Sequence, residues 1–274
     1  MRRHRVGAQY PGGMDLTQRF ELLLSRPDGE VPLDEVALLI AAHAYPDLDV
    51  AAELGRLDEL AKDVSEPTLD GVLALLFIDL GFVGNTRDYF DPRNSYLNDV
   101  VARRTGIPIS LGVLTMVVGR RLGVPLVGVG MPGHFLLRDQ VDQELYLDPF
   151  ARGRRLDAEG CEAAFHAVHG AETEFDRTFL DPVSHASIVA RMLANLRATF
   201  MNRDDRDALV WVLRLRTLVP GVPQEERAEL ASVLARAGRL REAADELDLL
   251  ATQLGGELGE TYRQSAGRLR AQLN

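Results

Sequence analysis

The stretch RTGIPISLGVLTMVVGRRLGVPLVGVGMPGHFLLRD, residues 104–139, constrains this chain more than any other. Gly106 closes a preceding helix, NSYLNDVVARR, and the segment GIPI then enters extended. Ser110 opens an apolar helix, SLGVLTMVVGRRL, that stops at Gly123. Beyond Pro125 the character changes. The runs LVGVGM, HFLLRD and ELYLDPF are short, apolar and rich in β-branched or aromatic residues, separated by Pro-Gly and by polar residues 140–143. A small antiparallel sheet of three strands packed on one helix is the economical solution, and the fold class is α+β.

The flanks are helical. Apolar residues recur at helical spacing in LTQRFELLLS, DEVALLIAAHA, LDVAAELGRLDELAKDV and TLDGVLALLFIDLGFVG, with Asp34, Asp47 and Thr68 placed to cap helix starts. His43 falls at a helix end with no special duty. From Ala186 the chain is helical again, and superimposing it on itself at a spacing of about 35 residues aligns Ala208 with Ala243, Val212 with Leu247, Leu215 with Leu250 and Val219 with Leu254. Such a period suggests stacked helix pairs. The expected organisation is a disordered leader over 1–13, a mixed domain over 14–182 and a helical domain over 183–274.

Composition removes several functions. A formal charge of -10, from 41 acidic and 31 basic residues, repels a phosphate backbone, so no nucleic-acid partner is expected. No apolar run is long enough to span a bilayer. Cys161 is the single cysteine, which excludes an internal disulfide and a thiolate metal cluster and suits a reducing cytoplasm. Its expected role is that of a small buried apolar residue. No cofactor and no metal are implied; His166 and His169 stand three apart but have no third ligand in register.

Ser110 at a helix entrance, His134 at a strand start and Asp148 at the end of the next strand have the order of a nucleophile, a base and an orienting carboxylate. If the strands pair as read, the three side chains approach one another. Asn98 is a possible amide donor to an oxyanion, and Arg103 and Arg104 could hold a carboxylate at the mouth. The sequence GIPISL, followed by PGHFLLR and YLDPF, resembles the transglutaminase-like superfamily, with its papain-like core. More closely, NSYLNDVVARRTGIPISLGVL, GVGMPGHFLLR and LYLDPF resemble the SirB-one family, which joins such a domain to C-terminal tetratricopeptide repeats; ARAGRLREAADELDLL resembles half of one repeat.

That resemblance implies that His134 and Asp148 occupy the superfamily's histidine and aspartate positions. It also exposes a departure, because Ser110 stands where the active enzymes carry cysteine. A thiol with a pKa near about 8.5 can be held as thiolate beside an imidazolium, whereas a hydroxyl must lose its proton during attack. Serine is equally a good helix cap, worth about 1 kcal/mol without any chemistry. The favoured reading is therefore a catalytically degenerate binding or scaffold module with a protein or peptide partner on its helical repeats. The alternative is a serine-dependent amide or ester hydrolase using Ser110, His134 and Asp148.

Overall fold

Residues 14–273 are described by a computed structural model; the expected leader over 1–13 lies outside them. The chain divides into two compact units, one ending at Met192 and the other starting at Leu193. The division falls inside a helix, ten residues beyond the expected boundary at Pro182.

The first unit opens with helices α1 (Leu16–Leu24), α2 (Leu33–Ala44), α3 (Val50–Lys62) and α4 (Leu69–Leu73), the last running on as a π-helical turn over Ala74–Asp79. Thr68 caps α4 as expected, its hydroxyl accepting from the Gly71 N–H at 3.1 Å. The other two caps differ. Asp49, not Asp47, caps α3 through the Ala52 N–H at 3.0 Å. Asp34 lies inside the first turn of α2, where its buried carboxylate takes Arg120 and Arg121, each at 2.8 Å. A buried carboxylate is costly unless paired, so this triad ties α2 to the C-terminal end of the long apolar helix that follows GIPI.

Strand β1 (Val83–Gly84) pairs in parallel with β2 (Thr105–Gly106) across α5 (Leu97–Arg103). Helix α5 ends before Gly106, at Arg104, which itself adopts the left-handed conformation at φ 54°. Helix α6 (Pro108–Arg121) starts two residues earlier than expected, because Pro108 supplies a pre-set φ at its first position. Eleven of its residues, Ile109 through Gly119, are buried. The antiparallel sheet has the order β3 (Leu126–Val129), β4 (Leu136–Asp139), β5 (Tyr146–Asp148), β6 (Arg154–Leu156). The first three are the expected strands, and β6 adds an edge beyond them.

Helices cover both faces. Phe135 and Leu137 lie against α6 at Gly112, whereas Leu136 and Tyr146 join Cys161 and Phe165 of α7 (Ala158–His169) in a separate apolar cluster. Helix α8 (His185–Asn202) follows, capped by Asp28, whose carboxylate accepts from the N–H groups of His185 and Ala186 at 3.0 and 3.2 Å.

The second unit continues with α9 (Arg206–Arg216), α10 (Glu226–Arg236), α11 (Leu240–Leu254) and α12 (Gly256–Ala271). Each packs on the next in sequence. Of the eight residues aligned by the internal period, Val212, Leu215, Val219, Ala243, Leu247 and Leu250 are buried, and Ala208 and Leu254 are half-buried. No helix among the described residues is long and apolar enough to cross a membrane.

Candidate functional site

Ser110 is the third residue of α6 rather than its cap, and only 1% of it is exposed. Its hydroxyl oxygen accepts from the Ile107 N–H at 3.0 Å, satisfying a donor that the helix start leaves open. Its proton is directed to backbone carbonyls, that of Asn94 at 2.5 Å and that of Ile107 at 3.1 Å. Packing is equally tight: a β-carbon on Gly106 would stand 2.6 Å from the Ser110 oxygen. No base receives the proton, and attack at a carbonyl requires one.

The structure does not bring His134 or Asp148 into hydrogen-bonding contact with Ser110 or with each other. The His134 ring lies on the α7 side of the sheet, with Nε2 3.2 Å from the Ala164 carbonyl, to which it must donate. The neighbouring Phe135 turns instead to α6: a β-carbon on Gly112 would lie 2.6 Å from its ring, and one on Gly128 of β3 2.8 Å. Two glycines thus leave the room that this phenyl occupies. Asp148 faces forward into the turn that follows it, which it caps. Its Oδ1 accepts from the Phe150 and Ala151 N–H groups, both at 3.1 Å, and its Oδ2 lies 3.5 Å from Arg154.

Asn98 lies in the first turn of α5, and the atom buried there without a partner among the described residues is its carbonyl oxygen, an acceptor and not an oxyanion donor. Arg103 pairs with Asp91 at 3.2 Å and Arg104 donates to the Leu80 carbonyl, so neither stands open at a mouth. His166 Nε2 meets the Thr173 carbonyl and His169 stacks near Phe165; no group of three or more metal-ligating side chains occurs among the described residues. Cys161 is fully buried, and burial pushes its thiol up to about 12, which removes it as a nucleophile.

Two residues that sequence reasoning passed over organise this region. Asn94, fully buried, donates to the Asp88 and Tyr89 carbonyls, accepts from Asn85 at 3.0 Å, and offers its own carbonyl to Ser110. It fastens the loop 85–94 to α6. Arg191 of α8 donates to the His134 carbonyl at 2.6 Å and stands over the Phe135 ring, 5.6 Å from its centre. Nothing in the sequence distinguishes this arginine from the many others.

A cavity of about 620 Å3 lies elsewhere, between the C-terminal half of α6, edge strand β3 and residues 182–185. Two of its charged residues are already engaged, Asp28 with α8 and Arg120 with Asp34, and its walls are otherwise largely aliphatic.

Residues 43–194 match the transglutaminase-like superfamily. A UPF0162 protein of Xylella fastidiosa is 42% identical over 214 residues, covering 73% of this chain and 76% of the relative. A UPF0162 protein of Pseudomonas aeruginosa is 36% identical over 174 residues, covering 60% and 63%. F-box only protein 21 of Mus musculus shares 40% identity over 110 residues, which are 36% of this chain and 17% of that one. The chain therefore belongs to the transglutaminase-like superfamily, among its UPF0162 proteins. No solved structure matches it.

Proposed function

We propose that this protein is a non-catalytic member of its superfamily, a binding or scaffold module of SirB-one type. What supports the reading is the placement of the Ser110 proton on the Asn94 carbonyl, inside a residue sealed from solvent. A serine used this way fastens two backbone segments and has no path to a substrate carbonyl. Helices α9–α12, packed in series, we read as tetratricopeptide-like pairs that present a protein or peptide partner with a surface. We place the protein in the cytoplasm on the strength of its single, buried thiol.

The decisive experiment is labelling with a fluorophosphonate probe. Wild type is expected to remain unlabelled, and the Ser110→Cys variant to resist iodoacetamide while folded, since no imidazolium stands beside the new thiol. Labelling that disappears in both Ser110→Ala and His134→Ala would establish the serine hydrolase instead.

A further inference from the structure

The two edges of the antiparallel sheet are built differently. An edge strand exposes unpaired backbone groups and is ordinarily blunted by charge. Strand β6 follows that rule with the exposed Arg154 and Arg155, whereas β3, Leu126–Val129, carries no charged side chain. The outer edge of β3 is partly used by the chain itself: the Val183 N–H donates to the Gly128 carbonyl at 2.9 Å, and Pro182 stands opposite Val129 in antiparallel register. That added strand stops at once, because the chain turns into α8 at Ser184, whose hydroxyl accepts from the Ser187 N–H at 3.0 Å.

Alternation fixes what is left open. The Gln140 N–H donates to the Pro125 carbonyl at 3.0 Å, so residues 125, 127 and 129 direct their backbone groups to β4, and residues 126 and 128 direct theirs outward, as the bond from Val183 to Gly128 requires. Leu126 therefore turns an N–H and a C=O away from the sheet, and neither has a hydrogen-bond partner among the described residues. The same residue lines the cavity of about 620 Å3, together with the aliphatic Val31, Leu33, Val117 and Val183. Asp28, Arg120 and His185 in its wall are already held, by the α8 N–H groups, by Asp34 and by the Val31 carbonyl, so nothing there calls for a charged ligand.

We propose that this cavity binds a short, uncharged, extended peptide segment of a partner protein, which continues along β3 the antiparallel strand that residues 182–183 begin. One residue of the segment exchanges both backbone hydrogen bonds with Leu126, and its apolar neighbours fill the aliphatic walls. An acyl chain would fit the walls equally well but leave both backbone groups unpaired, which favours the peptide. The inference goes beyond the reading above, since the site lies wholly in the first unit and uses neither Ser110 nor helices α9–α12. The two fail separately: probe labelling at Ser110 would sink the non-catalytic reading and leave this site untouched.

The test uses the capped tripeptide acetyl-Leu-Val-Leu-amide and two forms of it, N-methylated at the central valine or at the first leucine, titrated by calorimetry into the full chain. Methylation at one position is expected to raise the dissociation constant about tenfold, the loss of one hydrogen bond with its partner stranded, and at the other to change it little, because alternate N–H groups point away from β3. By NMR the Leu126 amide is expected to exchange rapidly in the free chain and slowly with the peptide bound. Leu126→Pro removes the outward N–H without breaking a bond to β4 and should weaken binding about tenfold as well. Should that variant fail to fold, the methylation pattern on wild type decides alone. Absence of binding, equal effects of methylation at both positions, or octanol binding as tightly as the peptide would each overturn the proposal. So would slow exchange of Leu126 in the free chain, or a dimer by light scattering that Leu126→Pro dissolves, since another segment or a second copy would then hold the edge.

Discussion

Replacing Ser110 by alanine separates a structural hydroxyl from a catalytic one. The change removes a single oxygen and strands two buried backbone groups, the Ile107 N–H at 3.0 Å and the Asn94 carbonyl at 2.5 Å. Both residues are nearly inaccessible, Ile107 at 2% and Asn94 at 0% exposure, so water does not readily replace the lost partner. An unsatisfied buried group costs about 1–3 kcal/mol, and two with partial relaxation give about 2–4 kcal/mol. An ordinary cap is worth only about 1 kcal/mol. For a unit of this size the loss corresponds to a fall in melting temperature of about 4–16 °C. Trp211 lies in α9, in the second unit, so its fluorescence reports the wrong unit. Hydrogen exchange of peptides spanning 94–111, with circular dichroism melts, is the appropriate assay. A destabilisation under about 0.5 kcal/mol, or exchange at the start of α6 unchanged from wild type, would refute the account of Ser110 as a two-sided backbone tie.

Three further outcomes are expected. Gly112→Ala places a β-carbon 2.6 Å from the Phe135 ring and should destabilise by about 1–3 kcal/mol, whereas Gly55→Ala in α3, with nothing within 4 Å, should stabilise by up to about 1 kcal/mol; urea midpoints check the opposite signs. Cys161 should react with a disulfide reagent only as fast as the first unit opens, and prompt reaction with native protein would contradict its burial in the α7 cluster. His43, held by the Leu39 carbonyl at 2.8 Å, has its pKa lowered by burial. The unfolded chain therefore binds its proton more readily, and the stability this group confers is complete above about pH 6.5 and lost as pH falls towards the folded value; His43→Gln should flatten that part of a pH-stability curve.

The sheet and the helices were legible because hydrophobic period marks them directly. LVGVGM, HFLLRD and ELYLDPF are β3, β4 and β5, and the apolar helix after GIPI is α6. Strand β6 was hidden: Arg154 and Arg155 lie on an exposed edge and carry no apolar alternation. Caps were misplaced by one or two residues where several acids compete, as Asp49 does with Asp47. Arg191 and Asn94 escaped notice for another reason. What distinguishes them is a carbonyl and a phenyl ring of another segment in one case and a full set of partners in the other, and both are properties of surroundings assembled from distant segments.

The candidate triad turns on an alternation that residue types alone do not settle. Adjacent residues entering a strand point to opposite faces, so of His134 and Phe135 only one can lie against α6. Sequence order favours the histidine, since a nucleophile's helix precedes it. The interior favours the phenylalanine, because Gly112 and Gly128 leave a space that a phenyl fills to 1% exposure, and burying its ring is worth about 1.5–3 kcal/mol. An imidazole there would need a polar partner, and the buried hydroxyls of α6 are committed to backbone carbonyls, Ser110 to that of Asn94 and Thr115 to that of Leu111. On the α7 side His134 finds the Ala164 carbonyl instead. Packing at two glycines and the commitment of both hydroxyls therefore select the same face, and a single substitution that restored a thiol at position 110 would leave the imidazole on the wrong side of the sheet.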